Sequence, residues 1–545
     1  MATTNFSSLV NPSNILSFNT ATDTLVFDSP SISAARLLIR SDLITGTTFS
    51  YEGKSVTLSG IFSLALSPAN VVFADGSLLL FGDQTNGMTN DFLGQTFTGG
   101  AGNDAMVGLS GVDTMAGEAG NDLFYLVSVP SPSADNVDGG SGDDRVIFLG
   151  ANTNTGALAP TTSNVSVNLE SGTATWGSAS VQLNSIEDIH VVGANGTTHV
   201  LTGNAEDNSF VIGGASGTST ASYTVDGGDG IDYLGFNLNN TTPVTVSLAN
   251  ASVTWGSSQI PFSHIEALSG TAGNDALTGD AGNNSFVGRA GNDSIDGGGA
   301  TDTANFSGSL VNYTLTGSGG SYTVRANSGS DGTDTLSNIE ALKFADKTVN
   351  LTIQAIAAAA PQADVQQVEE LYVAFFNRVP DADGLAYWLG QMSAGQSINQ
   401  IAEAFYSAGI QYSSLTGFSS SMSNADFVNV VYRNVLGRSD GADADGLAYW
   451  TEELASGHAT HGSLVSTILS SAHTYKGDAT WGWVPDLLDN KISVANQFAV
   501  TWGLNYNTPD ESIARGMAIA SAVTPTDTAA AIALIGVLAS DMNLG

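Results

Sequence analysis

The sequence predicts a multidomain, mainly β protein with an N-terminal β domain, a central β-roll or β-solenoid with β insertions, and an α-helical C-terminal domain. Three observations lead to this fold class. A glycine- and aspartate-rich unit of nine residues recurs through the middle of the chain. Segments of alternating apolar and polar residues, typical of strands, flank these units. Beyond residue 365, apolar residues recur at the three- and four-residue spacing of helices.

The N-terminal β domain is expected over residues 1–98. Short apolar segments bounded by turn residues lie at 23–28, 47–53, 54–60, 69–75 and 76–83. Their length and their flanking glycine, aspartate and asparagine residues are typical of strands. A short helix is expected near residues 32–39.

The nine-residue unit is clearest over residues 99–125, which read GGAGNDAMV, GLSGVDTMA and GEAGNDLFY. Each unit has glycine at places one and four, aspartate at place six and an apolar residue at place eight. Single units follow at 139–147 and 227–235, a degenerate unit lies at 203–211, and four consecutive units fill 270–305. We expect the consecutive units to stack and the isolated ones to lack stacking neighbours.

The pattern has a physical reading in terms of a cation. Glycine allows tight turns because it reaches positive φ without steric cost, and the residue at place eight would point into the core. Stacked turns bring the aspartates close together, where their carboxylates repel unless a cation lies between them. Calcium suits this position because it accepts six to eight oxygen ligands, backbone carbonyls included, in loose geometry.

The units resemble the RTX calcium-binding repeat, and the resemblance implies the ligands of several calcium ions. The aspartates at place six are Asp104, Asp113, Asp122, Asp144, Asp232, Asp275, Asp293 and Asp302. The expected carbonyl ligands are Gly100, Gly102, Gly111, Gly120, Gly142, Gly230, Gly273, Gly282 and Gly291. Asn208 and Asn284 replace the aspartate, and Leu109 and Glu118 replace the second glycine. Those turns are expected to bind calcium weakly or only to shape the fold.

A longer repeat lies between the nine-residue units. The segments at 165–169, 175–178 and 186–187 recur 79 residues later at 244–248, 254–257 and 265–266. The last of them, Ile-Glu, occurs again at 339–340. Three landmarks that share one offset indicate duplication, so the region 99–352 is expected to be a β-solenoid with two related β spacers.

The nine-residue units resemble the RTX calcium-binding repeat, whose pattern is GGxGxDxUx. The resemblance implies a protein that stays unfolded at low intracellular calcium and folds outside the cell. It also implies export from a Gram-negative bacterium by the type I secretion machinery, read from a C-terminal signal that we place within 524–545. The expected location is therefore extracellular, at the cell surface.

The C-terminal domain, residues 365–545, is expected to contain two related helical units. LYVAFFNRVPDADGLAYW within 368–395 shares its tyrosine, arginine, glycine and tryptophan landmarks with 428–457. These segments resemble a bacterial domain family of unknown function that accompanies RTX repeats and surface-layer proteins. Two interpretations stay open for the aspartates, as helix caps or as further calcium ligands, and two for the tryptophans, as packing residues or as a ligand face. The residues concerned are Asp381, Asp383, Asp443, Asp445, Trp388 and Trp450.

Composition excludes several classes of partner. The chain has 14 Lys plus Arg against 52 Asp plus Glu, a formal net charge of −38. Nucleic acids and anionic membrane surfaces are bound by clustered basic residues, so neither is expected. The chain has no cysteine, which excludes disulfides and thiolate zinc sites. The N-terminal residues do not resemble a signal peptide, and no transmembrane segment is expected.

No enzyme motif is found. None of the six histidines is followed by the glutamate of HExxH, and no serine lies in a G-x-S-x-G elbow. His458 and His461 could hold a metal or simply lie on a helix surface. The sequence therefore predicts a non-enzymatic calcium-binding structural protein that self-assembles in a surface layer or extracellular matrix, with cell-surface glycan or lipopolysaccharide as a further partner. The alternative is a calcium-dependent adhesin, and the third is a secreted hydrolase with an unrecognised active site.

Overall fold

The computed structural model describes residues 2–42, 45–61, 65–85, 90–128, 132–151, 158–213, 220–237, 240–256 and 258–544. The chain divides into two compact units, Met1–Ile295 and Asp296–Gly545. Ser257, the last residue of the second TWGS segment, lies outside the described residues. The predicted domain boundaries at residues 98, 352 and 365 stay predictions.

The first unit begins with two small sheets. Strands β1, β3 and β7 pair in parallel, and β2, β6, β5 and β4 form a second sheet in that order. The strands are β1 (Thr3–Asn5), β2 (Ser13–Ser17), β3 (Thr24–Phe27), β4 (Leu38–Asp42), β5 (Gly46–Tyr51), β6 (Lys54–Ser59) and β7 (Val71–Phe73). Phe27 stacks on Phe73 with ring centroids 4.9 Å apart in the core between these strands.

The helix expected near residues 32–39 is present as a 3₁₀ helix of three residues, Ala34–Arg36, and β4 begins at Leu38. The helix is no longer than this because burial from Leu37 onward alternates with the period of a strand. Leu37 and Ile39 are buried, whereas Leu38 between them is exposed.

The remaining strands of the first unit carry the nine-residue units and their spacers. They are β8 (Leu79–Phe81), β9 (Thr96–Gly100), β10 (Ala105–Gly108), β11 (Thr114–Glu118), β12 (Leu123–Ser128), β13 (Asn136–Asp138), β14 (Arg145–Ala151), β15 (Leu158–Ala159), β16 (Val165–Asn168), β17 (Thr173–Trp176), β18 (Ala179–Asn184), β19 (Asp188–Val192), β20 (Thr198–Thr202), β21 (Ser209–Gly213), β22 (Ser222–Asp226), β23 (Tyr233–Phe236), β24 (Val244–Ser247), β25 (Ser252–Trp255), β26 (Ser258–Ser263), β27 (Ala267–Ser269), β28 (Ala276–Thr278), β29 (Ser285–Val287) and β30 (Ser294–Asp296).

Consecutive nine-residue units alternate between two sets of parallel strands. The first sheet runs β8-β10-β12-β14-β19-β21-β23-β27-β29. The second set begins β9-β11-β13-β18. The strand of one unit therefore pairs with the strand two units away, so that Ala105 lies opposite Leu123.

The residue at place eight points into the core, as predicted. Every such side chain in the first unit is buried, namely Met106, Met115, Phe124, Val146, Phe210, Leu234, Leu277, Phe286 and Ile295. Burial of one apolar side chain per unit stabilises the fold by roughly 1.5–3 kcal/mol for each large residue. Because these side chains are anchored in the core, the aspartate two residues earlier lies at the start of each strand.

The two spacers have matching strand registers. In β16–β17 Val165 lies opposite Trp176, and in β24–β25 Val244 lies opposite Trp255. Each tryptophan packs edge-on against a phenylalanine of the first sheet, with a centroid distance of 5.5 Å in both spacers. Each spacer therefore folds as an antiparallel excursion and returns the chain to the parallel strands.

The second unit contains the helices and a third antiparallel excursion. Its strands are β31 (Thr303–Asn305), β32 (Tyr313–Ser318), β33 (Ser321–Ala326), β34 (Thr333–Ser337), β35 (Ala341–Lys343), β36 (Lys347–Asn350), β37 (Leu504–Tyr506) and β38 (Met542–Asn543). The helices are α1 (Ile353–Ala359), α2 (Gln362–Phe376), α3 (Ala382–Ser393), α4 (Ile398–Gln411), α5 (Ser413–Thr416), α6 (Asn424–Leu436), α7 (Ala444–Ser456), α8 (His461–His473), α9 (Trp483–Asn496), α10 (Pro509–Ser521) and α11 (Ala529–Ile535). These elements confirm a mainly β chain with long parallel sheets and a helical C-terminal region.

Apolar faces of the helices meet in one aromatic core. Phe375 on α2 lies within 6.3 Å, between ring centroids, of Phe405, Phe418 and Phe427. Over the described parts of the chain, none of the helices combines the length and apolar composition that crossing a bilayer requires.

Candidate calcium site

A row of carboxylates precedes the strands of the first sheet. The Asp104 backbone N–H donates to Asp122 Oδ1, and the Asp122 N–H donates to Asp144 Oδ1, both over 2.7 Å. Asp104 in turn accepts from the N–H of Leu78 through Oδ1. Each aspartate therefore links its own turn to the turn before it, and this line of acidic residues is called the first row.

The second row lies on the other set of strands. Asp113 donates its backbone N–H to Asp135 Oδ1 over 2.9 Å and accepts from the N–H of Gln95 over 2.8 Å. Later in the chain, the Asp275 backbone N–H donates to Asp293 Oδ1 over 2.8 Å. The expectation that consecutive units stack was therefore wrong, because consecutive strands belong to opposite sets. Asp104 stacks on Asp122, which lies 18 residues on, and not on Asp113.

The isolated units do have stacking neighbours, contrary to expectation. The Asp144 N–H donates to Glu187 Oε2 over 2.8 Å, and the Asp232 N–H donates to Glu266 Oε2 over 2.9 Å. In the second unit of the structure the Asp302 backbone N–H donates to Glu340 Oε2 over 2.8 Å. The spacers explain this outcome, because each one leaves the parallel strands and returns the chain at the next position of the row.

These glutamates were missed as site residues, although the sequence carried the signal. Glu187, Glu266 and Glu340 are the acidic members of the Ile-Glu pair that occurs three times. The isoleucine of each pair is buried. Asp135, also missed, is a buried carboxylate at place six of a degenerate unit without glycine at 130–138, and Asp91 is a further buried carboxylate.

The two asparagines occupy the same geometric position as the aspartates. Asn208 accepts from the N–H of Asn204 through Oδ1 and donates its own N–H to Asp232 Oδ1, both over 2.8 Å. Asn284 accepts from the N–H of Asp280 over 2.8 Å. An uncharged amide can therefore hold the turn, which agrees with a shaping role at these positions.

In most units close approach requires glycine at places one and four. The aspartate folds back over the first glycine, so that a Cβ at Gly117 would overlap Oδ2 of Asp122. The fourth glycines Gly111, Gly120, Gly142, Gly230 and Gly291 all have positive φ. A Cβ at Gly120 would overlap the carbonyl of Gly102, and one at Gly291 would overlap that of Gly273. The expected carbonyl ligands therefore form columns beside the carboxylates.

The electrostatics of the rows favour a bound cation. Burial raises the pKa of Asp113 to about 7, with the charge of Asp135 adding to the effect. Burial likewise raises the pKa of Asp122, Asp144 and Asp232 to about 6. In all four residues Oδ2 is buried and has no hydrogen-bond partner. Because a buried carboxylate oxygen without a partner is costly, these residues fit a hard divalent cation.

Side chains alone do not complete such a site. Within the described ranges no three acidic or histidine side chains converge on one point. Calcium takes six to eight oxygens, so the carbonyl columns of Gly102, Gly120 and Gly142 and those of Gly273 and Gly291 would have to supply the remaining ligands. The requirement for backbone oxygens explains the glycine-rich turns.

The other sequence candidates do not form a metal centre in the described structure. Asp443 caps α7 by accepting from the Gly446 N–H over 2.9 Å, and Asp381 pairs with Arg378. Asp383 Oδ1 accepts from the side chain of Asn350, and no metal cluster includes Asp445. His461 stacks on Tyr406 at 3.9 Å, whereas His458 lies 3.6 Å from Glu453. The two imidazoles therefore have different partners in the described structure.

Comparisons with known proteins match the nine-residue repeats and the helical C-terminal region. The family model of the RTX calcium-binding nonapeptide repeat matches residues 95–125, 131–150 and 269–304. The model of a domain of unknown function (DUF4214) matches residues 357–409 and 414–476, which are the two related helical segments. A comparison with curated proteins gave no match.

Among solved structures, the extracellular lipase LipA from Serratia marcescens is similar at 15% identity and a TM-score of 0.16. The alignment covers 49% of this chain and 42% of the lipase. This chain thus spans less than half of that lipase. The identified features are those of the two family models: the chain carries RTX calcium-binding nonapeptide repeats, which are known to bind Ca²⁺, and a DUF4214 helical region.

Proposed function

We propose that this protein is a secreted, non-enzymatic structural protein that folds on binding calcium and assembles at the surface of a Gram-negative bacterium. The observation that carries the proposal is the line of buried carboxylates whose Oδ2 atoms have no hydrogen-bond partner, as in Asp122 and Asp144. Calcium bound along the rows would complete a β-roll. Proteins with RTX repeats are typically secreted, and the proposal includes export by the type I machinery.

Calcium would act as the folding trigger outside the cell. Extracellular calcium modules bind with Kd values of roughly 10⁻⁴ to 10⁻³ M. A site held at a hundredfold excess over its Kd stabilises the folded state by about 2.7 kcal/mol. Several such sites along two rows would add up to the whole stability of a domain. The net charge of −38 would keep the calcium-free chain open through repulsion.

Self-assembly is supported by an exposed strand edge in the N-terminal sheets. Strand β2 lies at the end of its sheet and pairs only with β6 among the described strands. Its Ile15 is 77% exposed, and the preceding Val10 is 91% exposed. An edge strand with exposed apolar side chains is a template for strand addition by another chain. A second copy of this protein is the proposed occupant in a lattice.

The test is negative-stain electron microscopy of the purified protein in chelator and after addition of millimolar calcium. We expect ordered sheets, tubes or filaments with calcium alone. The substitution Ile15→Lys should abolish them, whereas Leu534→Lys, at an exposed position on α11, should not. Discrete folded monomers in calcium would overturn the assembly role and favour the alternative, a calcium-dependent adhesin.

A further inference from the structure

The two DUF4214 segments build the same side-chain cluster, here called cluster 1 and cluster 2. In cluster 1 the Arg378 guanidinium lies 4.8 Å from the ring centre of Tyr372 and pairs with Asp381 over 3.4 Å. The Trp388 side chain lies close to the Tyr372 hydroxyl. The landmark glycine, Gly384, leaves room for that hydroxyl, because an added Cβ would lie 2.5 Å from it.

Cluster 2 repeats these contacts. Arg438 lies 5.7 Å from the ring centre of Tyr432 and pairs with Asp443 over 2.9 Å. Trp450 Nε1 donates to the Tyr432 hydroxyl over 3.1 Å. Gly446 faces the hydroxyl of Tyr432, as Gly384 faces that of Tyr372. The residues that the two sequence segments share therefore form the same side-chain arrangement twice.

The clusters differ in what covers them. Helix α10 closes cluster 1, where the Ser512 hydroxyl donates to Asp381 and accepts from Arg378 over 3.2 Å. The Arg378 and Asp381 side chains are accordingly 12% and 20% exposed. Their counterparts Arg438 and Asp443 are 25% and 55% exposed. The same ion pair is thus buried against a hydroxyl in one copy and open in the other.

Cluster 2 opens into a cavity of about 230 Å³ with aromatic walls. Trp481 lies 5.3 Å from the Arg438 guanidinium, and Tyr475 also lines the cavity. Both of these rings are more than a third exposed. Asp478 holds the turn before Trp481 by accepting from its backbone N–H over 2.7 Å. Asp478 therefore holds the backbone that carries Trp481.

We propose that cluster 2 is a saccharide-binding site that takes one sugar ring. Ser512 in cluster 1 shows how this arginine–aspartate pair receives a hydroxyl, which donates to the carboxylate and accepts from the guanidinium. A sugar presents such hydroxyls at its edge and apolar C–H groups on its face. The C–H face would pack on Trp481 and Tyr475, while one hydroxyl would take the place that Ser512 has in cluster 1.

The charge and size of the cavity support this class of ligand. Arg438 and Asp443 neutralise each other, so the cavity does not select a strongly charged ligand. Small-molecule sites are typically apolar and aromatic with a few placed polar groups, as here. The inference does not depend on assembly into a lattice, since it rests on the helical region alone.

The experiment uses the full calcium-loaded chain and saturation-transfer NMR. The probes are the methyl glycosides of glucose, mannose, galactose, rhamnose and N-acetylglucosamine at millimolar concentration. At least one should receive saturation and bind saturably. Trp481→Ala should weaken its binding about tenfold, as expected for loss of an aromatic contact. Asp443→Asn should weaken it too, although asparagine still caps a helix.

The matched control is Trp483→Ala, because Trp483 is similarly exposed but does not line the cavity. Its binding should equal that of the unmodified chain. Circular dichroism with each variant shows whether the helices stay folded. Absence of binding by all five glycosides would overturn the proposal, and so would unchanged binding in both Trp481→Ala and Asp443→Asn. If Trp481→Ala instead dissociates an oligomer in sedimentation, the occupant is a second protein chain.

Discussion

The repeat aspartate has two separable roles at the scale of a single residue. One carboxylate oxygen accepts a backbone N–H from the neighbouring turn, as Asp122 Oδ1 does from Asp104. In Asp113, Asp122, Asp144 and Asp232 the other oxygen is buried without a hydrogen-bond partner. In Asn208 the amide oxygen accepts instead from the N–H of Asn204, so an amide can hold its own turn. A charged oxygen suits the second role best, since a carboxylate ligand of calcium also offsets the charge of the ion.

The substitution Asp122→Asn should separate these roles. The amide oxygen can still accept the Asp104 N–H, so the turn should form, but the loss of charge should weaken the adjacent calcium sites. We expect a higher calcium midpoint for folding and a loss of up to about 2.7 kcal/mol at a calcium concentration that is a hundredfold above the Kd. Calcium titration followed by circular dichroism measures both quantities. Asp143→Asn, at the exposed position next to Asp144, is the control, and equal midpoints for the two variants would contradict a role of Asp122 in binding calcium.

Glu187 offers a second test at the same scale. It sits at the end of a spacer and accepts the Asp144 N–H over 2.8 Å. Glu187→Gln keeps the acceptor and the length of the side chain but removes its charge. We expect weaker calcium binding, measured by isothermal titration calorimetry as fewer or lower-affinity sites. Glu170→Gln, on the exposed turn of the same spacer, should match the unmodified chain. Identical titrations for Glu187→Gln and the unmodified chain would show that the charge of Glu187 does not contribute to calcium binding.

Structural elements explain why the duplicated spacers carry the Ile-Glu pair. Each spacer makes three antiparallel strands and then returns the chain to the parallel strands. The isoleucine anchors the return in the core, and the glutamate then falls at the row. A third spacer, β32 to β34, ends in Ile339 and Glu340 in the same way. Its sequence has lost the TWGS landmark, so only the Ile-Glu pair predicted any relation.

The helical elements give a prediction about the landmark glycines. Gly384→Ala should destabilise the helical region by roughly 1–3 kcal/mol, because its Cβ would lie 2.5 Å from the hydroxyl of the buried Tyr372. Gly390→Ala on the same helix is the matched control, since an added Cβ there meets nothing within 4 Å. It should stabilise the helix by up to about 1 kcal/mol. Thermal unfolding compares the two, and equal melting temperatures would contradict the packing argument.

Helix α2 also contains a buried acid that makes stability depend on pH. Burial raises the pKa of Glu369 to about 8, and Glu369 Oε1 accepts from Asn496. The folded state therefore holds a proton that the unfolded state releases above its ordinary pKa of 4.5. Stability contributed by this proton is present at low pH and is lost as the pH rises towards 8, with a slope of up to about 1.4 kcal/mol per pH unit.

Glu369→Gln should remove that slope and raise stability at alkaline pH relative to the unmodified chain. Urea unfolding of the calcium-saturated protein from about pH 5 to about pH 9 measures the difference. Glu452→Gln, at an exposed position on α7, should leave the slope unchanged. If Glu369→Gln and Glu452→Gln give parallel curves, the carboxyl of Glu369 does not titrate as described.

Calcium dependence belongs to the whole molecule, because the rows of carboxylates extend through many turns. A net charge of −38 is carried by 545 residues with only 14 basic side chains. Burying several carboxylates in such a chain without cations would be strongly unfavourable. The helical region has a core of its own, built around Phe375, and its described acidic side chains form no metal cluster.

Chelation should therefore unfold one region and spare the other. We expect residues 99–305 to lose their β signal in chelator and residues 365–545 to keep much of their helix. Far-ultraviolet circular dichroism gives the overall change, and limited proteolysis with mass spectrometry assigns the cleavage sites. Adding magnesium in place of calcium is the control, since magnesium demands a tighter octahedral site. An unchanged β signal in chelator would contradict folding on calcium.

The sequence by itself determined the local features of this protein. The nine-residue period, the inward residue at place eight, the glycine turns and the helical C-terminal region all follow from contacts between residues close in the chain. The resemblance to calcium-binding repeats rests on the same residues of the nine-residue unit. The sequence also identified the aspartates of the glycine-rich nine-residue units, because each one lies at a fixed distance from the glycines over which it folds.

Only the tertiary structure decided which carboxylates meet. Parallel pairing joins residues that are 18, 22 or 43 positions apart along one row. The local sequence does not predict which strand follows a spacer in the sheet. For this reason the contact of Asp144 with Glu187 was missed, and Asp113 was assigned to the wrong stack. The same cause separates the two clusters of the helical region. Their sequences are alike, but Ser512, distant in the chain, closes one and leaves the other open.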